Sequence, residues 1–253
     1  MYQQFREKLS GLTFHVADEG DVGSSRVYIA VAQYDFRSAI NEAMLEAMET
    51  QCREGGDAFA DYAGWLSQGI ANAAVVEDET VRAMATPKSG GYIIVHRGYT
   101  DHDFMNLFTG VFYDYADFQM AICTNIVDGV EHAYYFAALG DQVIACVQEL
   151  SEADDGEELD DETIAGLNEF YAQTAQQIPG FYMGVTKDGS RVITHIGIDF
   201  QTADQNALVN SGLVSGDYRG NMADGRLSLS ATVREFEKGG MTSTVTPVYK
   251  EAE

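Results

Sequence analysis

The chain has 253 residues, 45% of them hydrophobic and 11% aromatic, and a formal net charge of -25. So much apolar and aromatic content excludes a disordered chain, and the charge argues against direct binding to nucleic acid or anionic membranes, both of which favour basic surface. A chain of this length buries roughly 70 to 75% of its unfolded surface, as one large domain or two small ones.

With only three prolines and no Pro- or Ser-rich linker, the expectation is a single α+β domain over 1–253. A soft subdivision separates a mostly helical 1–116 from a mostly antiparallel 117–253. The opening "MYQQFREKL" is polar and has no apolar core of a secretory signal. No run reaches the ~18 apolar residues that a membrane span needs. Cys52, Cys123 and Cys146 lie far apart without a CxxC pair, which reads as reduced thiols in a cytoplasmic protein.

In chain order, "FHVAD" places His15 in a strand. In "SAINEAMLEAMETQC", Ile40, Ala43, Met44, Ala47 and Met48 recur at helical spacing, and Gly55-Gly56 stops that helix. Asp57 then reads as the cap of a second helix carrying Phe59, Tyr62, Leu66 and Ile70 on one face. A short helix is expected near 78–85, and "GYIIVHRG" reads as a strand. Thr100 with Asp103 resembles a capping box for a helix with Phe104, Leu107, Phe108, Val111 and Tyr115 in a stripe.

Beyond residue 117 the pattern changes. The dipeptides Asp128-Gly129 and Gly140-Asp141 separate three β-rich runs and predict a three-stranded antiparallel meander. "DETIAGLNEFYAQTAQQI" predicts a helix ended by Pro179, and "FYMGVT-KDGS-RVITHIGI" a hairpin. A short helix is expected after Thr202, with Gln205 completing its capping box and Gly212 stopping it. "GRLSLSATVREFE-KGG-MTSTVTPVYK" reads as a last hairpin. Helices early and hairpins late argue for α+β and against a βαβ series.

The charge is uneven. From Tyr99 to Thr186 there is no Lys or Arg, while seventeen Asp and Glu accumulate, eight of them in "SEADDGEELDDE" at 151–162. Gly156 and Glu162 have the spacing of an EF-hand loop, but Ser151 and Ala153 would fill its first and third ligand positions, and Ala cannot bind calcium. The simpler reading is a solvated connection followed by a helix start, where carboxylates oppose the positive helix terminus. The long stretch without a base still points to a face turned toward something positive. Asp154, Asp155, Glu157, Glu158, Asp160 and Asp161 are its expected contact residues.

Signatures for common reactions are missing from the sequence: it has no HExxH, GxSxG, Walker A or GxGxxG. "KSGG" at 88–91 and "DHD" at 101–103, with His96 upstream, read more simply as a turn and a helix cap. His195, like His15, reads as a structural strand histidine. One constellation follows from the meander. With two-residue turns, Asn125 faces His132, His132 faces Glu149, and Cys123 lies diagonal to His132 on the same face. A carboxylate beside an imidazole, with a thiol close by, is the material of thiol chemistry. A polar row on a half-buried sheet explains the same residues with less, and a slip of one residue destroys the row.

The sequence therefore favours a non-catalytic acidic binding protein that engages a basic protein surface, as an inhibitor or immunity-type protein occupying a nucleic-acid-binding groove would. The alternatives are a structural subunit of a virion or homo-oligomer, and a thiol- or metal-dependent enzyme. Neither a cofactor nor a bound metal is expected.

Overall fold

The computed structural model describes residues 14–18, 26–88, 91–95, 118–153, 159–204, 222–223 and 226–247. Along them run β1 (Phe14–Asp18), β2 (Arg26–Tyr34), α1 (Phe36–Glu54), α2 (Tyr62–Asn72), β3 (Val75–Lys88), β4 (Gly91–Val95), β5 (Phe118–Val127), β6 (Val130–Leu139), β7 (Gln142–Ala153) and α3 (Asp161–Ala175). There follow β8 (Phe181–Asp188), β9 (Arg191–Asp199), β10 (Met222–Ala223), β11 (Arg226–Leu227), α4 (Leu229–Lys238) and β12 (Thr242–Pro247). The class is α+β, with a six-stranded antiparallel sheet as its largest element. The chain divides into two compact units, one of Met1–Glu42 and Leu66–Tyr115, the other of Ala43–Trp65 and Ala116–Glu253.

In the first unit, β1-β2-β3-β4 form an antiparallel sheet. The short helix expected near 78–85 is instead the middle of β3. Its Val75, Val76, Thr80, Val81 and Thr86 are β-branched, and the strand pairs with β2 along its first part, up to Met84, and with β4 from Met84 to Lys88. Two ladders outweigh a weak local helical pattern. Asp35 caps α1 by accepting from Ser38 N–H at 2.9 Å. The helices of this unit approach closely at Gly69, where a Cβ would collide with the backbone of Ile40. The cap of α2 is Asp61, which accepts from Gly64 N–H at 3.0 Å, rather than Asp57. The helix expected around 104–115, the one after Thr202, and the "DHD" group with His96 lie outside the described residues.

In the second unit the sheet order is β12-β5-β6-β7-β9-β8. The β5–β6 turn is the expected one: Asp128 at φ 51° and Gly129 at φ 86° give the left-handed pair that matches strand twist. One face carries the cross-strand row Ala121, Phe136, Cys146, Ile198 and Phe181. Helix α4 covers this face with Leu229, Val233 and Phe236, whose ring meets Tyr134 at 4.8 Å and Phe136 at 5.6 Å between centroids. This segment was expected as the first strand of a hairpin. Ser228 decides otherwise by accepting from Ala231 N–H, and Leu229, Val233 and Phe236 recur at helical spacing. The second arm of that expected hairpin, β12, pairs with β5.

The opposite face receives the second half of α1. Two glycines on adjacent strands make room for it. A Cβ on Gly184 would run into the Cys52 carbonyl, and one on Gly197 would lie 2.8 Å from Cys52 Sγ. Helix α3 begins at the acidic block as expected, with Asp160 accepting from Thr163 N–H at 2.8 Å. That bond holds the exposed Asp160 carboxyl below its ordinary range. Among the described residues, no helix is long and apolar enough to cross a membrane.

Candidate functional site

The expected row forms only in part. Asn125 does face His132. The β6–β7 turn also starts as expected, with Leu139 opposite Gln142 and Ala138 opposite Val143. The next pair is Ala137 with Ala145, so Ile144 is an extra residue, and every later pair is displaced by one. His132 therefore faces Leu150, and Glu149 faces Ala133. The bulge moves Glu149 to the opposite face from Asn125, His132 and Cys123.

Cys123 is fully buried in the core under α4. Burial first, then the charge of Glu237, pushes its thiol up to about 11, the reverse of an activated nucleophile. Burial likewise pushes Cys146 up to about 12. Burial, followed by the charges of Cys146, Glu149 and Glu49, raises Cys52 too. The side-chain oxygen of Asn125 is buried without a hydrogen-bond partner among the described residues.

Glu149 instead meets His195, its direct neighbour on β9, with 3.0 Å between Oε1 and Nδ1. The same oxygen accepts from Gln51 Nε2 at 2.7 Å, and Oε2 accepts from Tyr135 Oη at 3.3 Å. Burial, and then the charge and bond of Glu149, push the Tyr135 phenol up to about 12. On the other side of the ring, His195 Nε2 lies 2.7 Å from Thr186 Oγ1. Donors converge on Glu149, so the ring donates to it from Nδ1 and meets the Thr186 hydroxyl at Nε2. Gln51 completes the set by accepting from the backbone N–H of Phe59 at 2.7 Å and Ala60 at 3.2 Å.

Hydroxyl, imidazole and carboxylate in this order are the parts of a nucleophilic relay. Here they act as a brace. His195 and Gln51 are completely buried, and a Cβ on Gly55 would lie 2.9 Å from Thr186 Oγ1, so the main chain at Gly55 covers the hydroxyl. None of the three relay residues borders the groove described next. The brace ties the end of α1 and the following turn to β6, β7, β8 and β9.

The groove lies between the end of α1, helix α3 and the outer edge of β8. Its volume is about 540 Å³, and its walls include Glu49, Arg53, Asn168, Ala172, Met183 and Gly184. It is within the roughly 300–1,000 Å³ of ligand sites. A third feature is the sheet end at which the β5–β6 turn, the end of β7 and the β8–β9 turn converge. Asp128, Glu131, Glu152 and Asp188 are exposed there. Ile126 and Val127, consecutive on β5 and so on opposite faces, are 69% and 47% exposed. Arg191 at this end is held inward by Ser151 Oγ at 2.7 Å, Ser151 O at 2.8 Å and Glu131 at 3.2 Å. Lys187 donates to Leu159 O at 3.4 Å.

Of the expected contact residues, Asp160 and Asp161 open α3, while Asp154, Asp155, Glu157 and Glu158 lie outside the described residues. Among the described residues no cluster of three His, Cys, Asp or Glu is arranged to hold a metal ion. Sequence reasoning missed Gln51, Thr186 and the Glu149–His195 pair. The only local signal was the polar character of these residues within apolar segments.

No protein-family profile and no curated protein matches the chain. Two solved structures resemble part of it. The NMR structure of the Escherichia coli YehR protein is 18% identical over 49% of this chain and 89% of its own, with a TM-score of 0.39. The NMR structure of a protein from Streptococcus pneumoniae TIGR4 is 14% identical over 50% of this chain and 84% of its own, with a TM-score of 0.36. At these values neither likeness bears on fold or function.

Proposed function

We propose that this chain is a non-catalytic binding protein whose acidic sheet end engages a basic surface on another protein, in the manner of an inhibitor or immunity protein that occupies a nucleic-acid-binding groove. The observation that carries this reading is an excess of exposed acids beside exposed hydrocarbon at one end of the sheet. Glu131 is the cross-strand neighbour of Ile126 and Asp128 follows Val127 at the turn, while Glu152 and Asp188 carry the acidic charge on across β7 and β8. Arg191 is bonded to Ser151 and Glu131, and Lys187 donates to Leu159 O. Charge of one sign steers a partner of the other, and exposed apolar side chains beside it add hydrocarbon to the contact. The sheltered thiols and the internal bonding of His195 favour this over a thiol-dependent enzyme.

The test is affinity capture of the partner across about 0.05 to 0.5 M salt, where screening of exposed charges becomes strong. Capture should fall at least about tenfold over that range. It should fall similarly at low salt for Ile126→Ser combined with Glu152→Gln. A response flat in salt would remove the electrostatic reading. A large particle in solution, dissociating at neither salt extreme, would favour a self-assembling subunit.

A further inference from the structure

We propose that the groove between α3 and β8 takes an extended peptide segment of a partner protein, apolar and basic in character, as an added strand on the β8 edge. This site is separate from the acidic sheet end and does not depend on it. Among the described residues β8 pairs only with β9, so one side of its backbone faces away from that strand. The outward positions are fixed by Asn168. Its Nδ2 donates to Val185 O at 2.9 Å, and its Oδ1 accepts from Val185 N–H at 2.7 Å. In an antiparallel ladder outward-facing residues alternate, so the N–H and C=O of Met183 also point away from β9. Phe181 C=O points the same way, while Phe181 N–H is bonded to Ile178 O at 3.1 Å. No described residue pairs with the outward groups of Met183, and Met183 lines the groove.

Asn168 shows what chemistry this edge accepts. A side-chain amide occupies Val185 as a neighbouring strand's peptide group would, and the next outward position opens into the groove. Helix α3 does not close that space, since none of its residues is fully buried. The wall opposite Met183 is low, formed by Ala172 and Ala175. Charge selects the occupant. The one cation of the walls, Arg53, is engaged by Glu54 at 2.9 Å and by Glu49 at 3.5 Å, and Glu49 itself lines the groove. A strand with aliphatic side chains toward Ile178 and a Lys or Arg near Glu49 meets the hydrocarbon, the charge and the backbone pair together.

The experiment is selection of a displayed library of random heptapeptides on the full chain, with counter-selection on Ala172→Trp, an exposed position whose indole fills the groove. Selected peptides are then synthesised and titrated. Aliphatic peptides containing Lys or Arg are expected, binding the unaltered chain at least about tenfold more tightly than Ala172→Trp. Met183→Pro removes only an outward N–H, so it should weaken binding similarly while Met183→Leu does not. N-methylation of the peptide at alternate amides should abolish binding in one parity and spare it in the other. The N-methyl series stands even if Met183→Pro fails to fold. An empty selection, indifference to N-methylation in both parities, or a dimer that Ala172→Trp disrupts would each overturn the proposal.

Discussion

The two faces of the six-stranded sheet are covered by different means. Under α4 the contact is hydrocarbon and aromatic: Phe136, Cys123 and Ile198 against Leu229, Val233 and Phe236. Under α1 the contact includes a chain of hydrogen bonds from the Phe59 and Ala60 N–H groups through Gln51, Glu149 and His195 to Thr186. Hydrocarbon contact is strong but indifferent to small shifts in position. A buried hydrogen-bonded chain contributes less net stability, yet it admits only one docking arrangement, because any slip leaves buried polar atoms unpaired. The first face holds its helix tightly, and the second defines where its helix sits.

The largest effect should come from the hydrocarbon face. Phe136→Ala empties a completely buried ring site and should destabilise the protein by about 3–5 kcal/mol, measured by urea unfolding. On the braced face, Gln51→Leu strips a donor from Glu149 and an acceptor from two backbone amides, at a cost of about 1–3 kcal/mol. The comparison sharpens in a double-mutant cycle. Gln51→Leu and Glu149→Leu together should cost less than their sum, because both remove the Gln51–Glu149 bond. Additive losses would mean that the brace is not a unit.

A smaller effect is expected where α4 begins. Asp141 accepts from Ser230 N–H at 2.8 Å and from Ser228 Oγ at 2.6 Å. Partial burial opposes ionisation of Asp141, but these bonds and the charge of Arg234 outweigh it and hold the carboxyl below its ordinary value of 3.8. A lowered folded value means that the stabilisation is fully present above the unfolded value and is lost as pH falls through the folded one. Asp141→Ala should therefore cost about 1 kcal/mol at neutral pH. That difference should shrink as the pH drops below 3.8. Denaturant midpoints across a pH series read this directly. The smallest expected effect is at the thiols. Cys52, Cys123 and Cys146 should all resist iodoacetamide in the native protein and react together on unfolding, since all three are buried. Selective labelling of Cys123 would revive the thiol reading.

What the sequence revealed divides along the same lines. Turn chemistry is local, so Asp128-Gly129 predicts the pairing of Asn125 with His132 correctly. The bulge at Ile144 is hidden because "VIAC" is apolar throughout and has no alternation to register a slip. In "RLSLSATVREFE" the apolar residues at 227 and 229 alternate as in a strand, while 229, 233 and 236 recur as in a helix. The brace was out of reach for a different reason. Gln51 and Glu149 are 98 residues apart, and Glu149 and His195 are 46 apart. Nothing in either neighbourhood says that β9, rather than another strand, lies beside β7.

The place of β12 has a consequence for how the chain matures. This strand covers one edge of β5, with Val245 opposite Ala121, yet on the order of 100 residues separate the two in synthesis. At roughly 5–20 residues per second, the ribosome delivers β12 on the order of ten seconds after β5. During that interval β5 has β6 on one side and an open row of peptide groups on the other. The nascent chain passes through a window of stickiness that the finished sheet no longer has, and slower translation downstream of β5 would lengthen it.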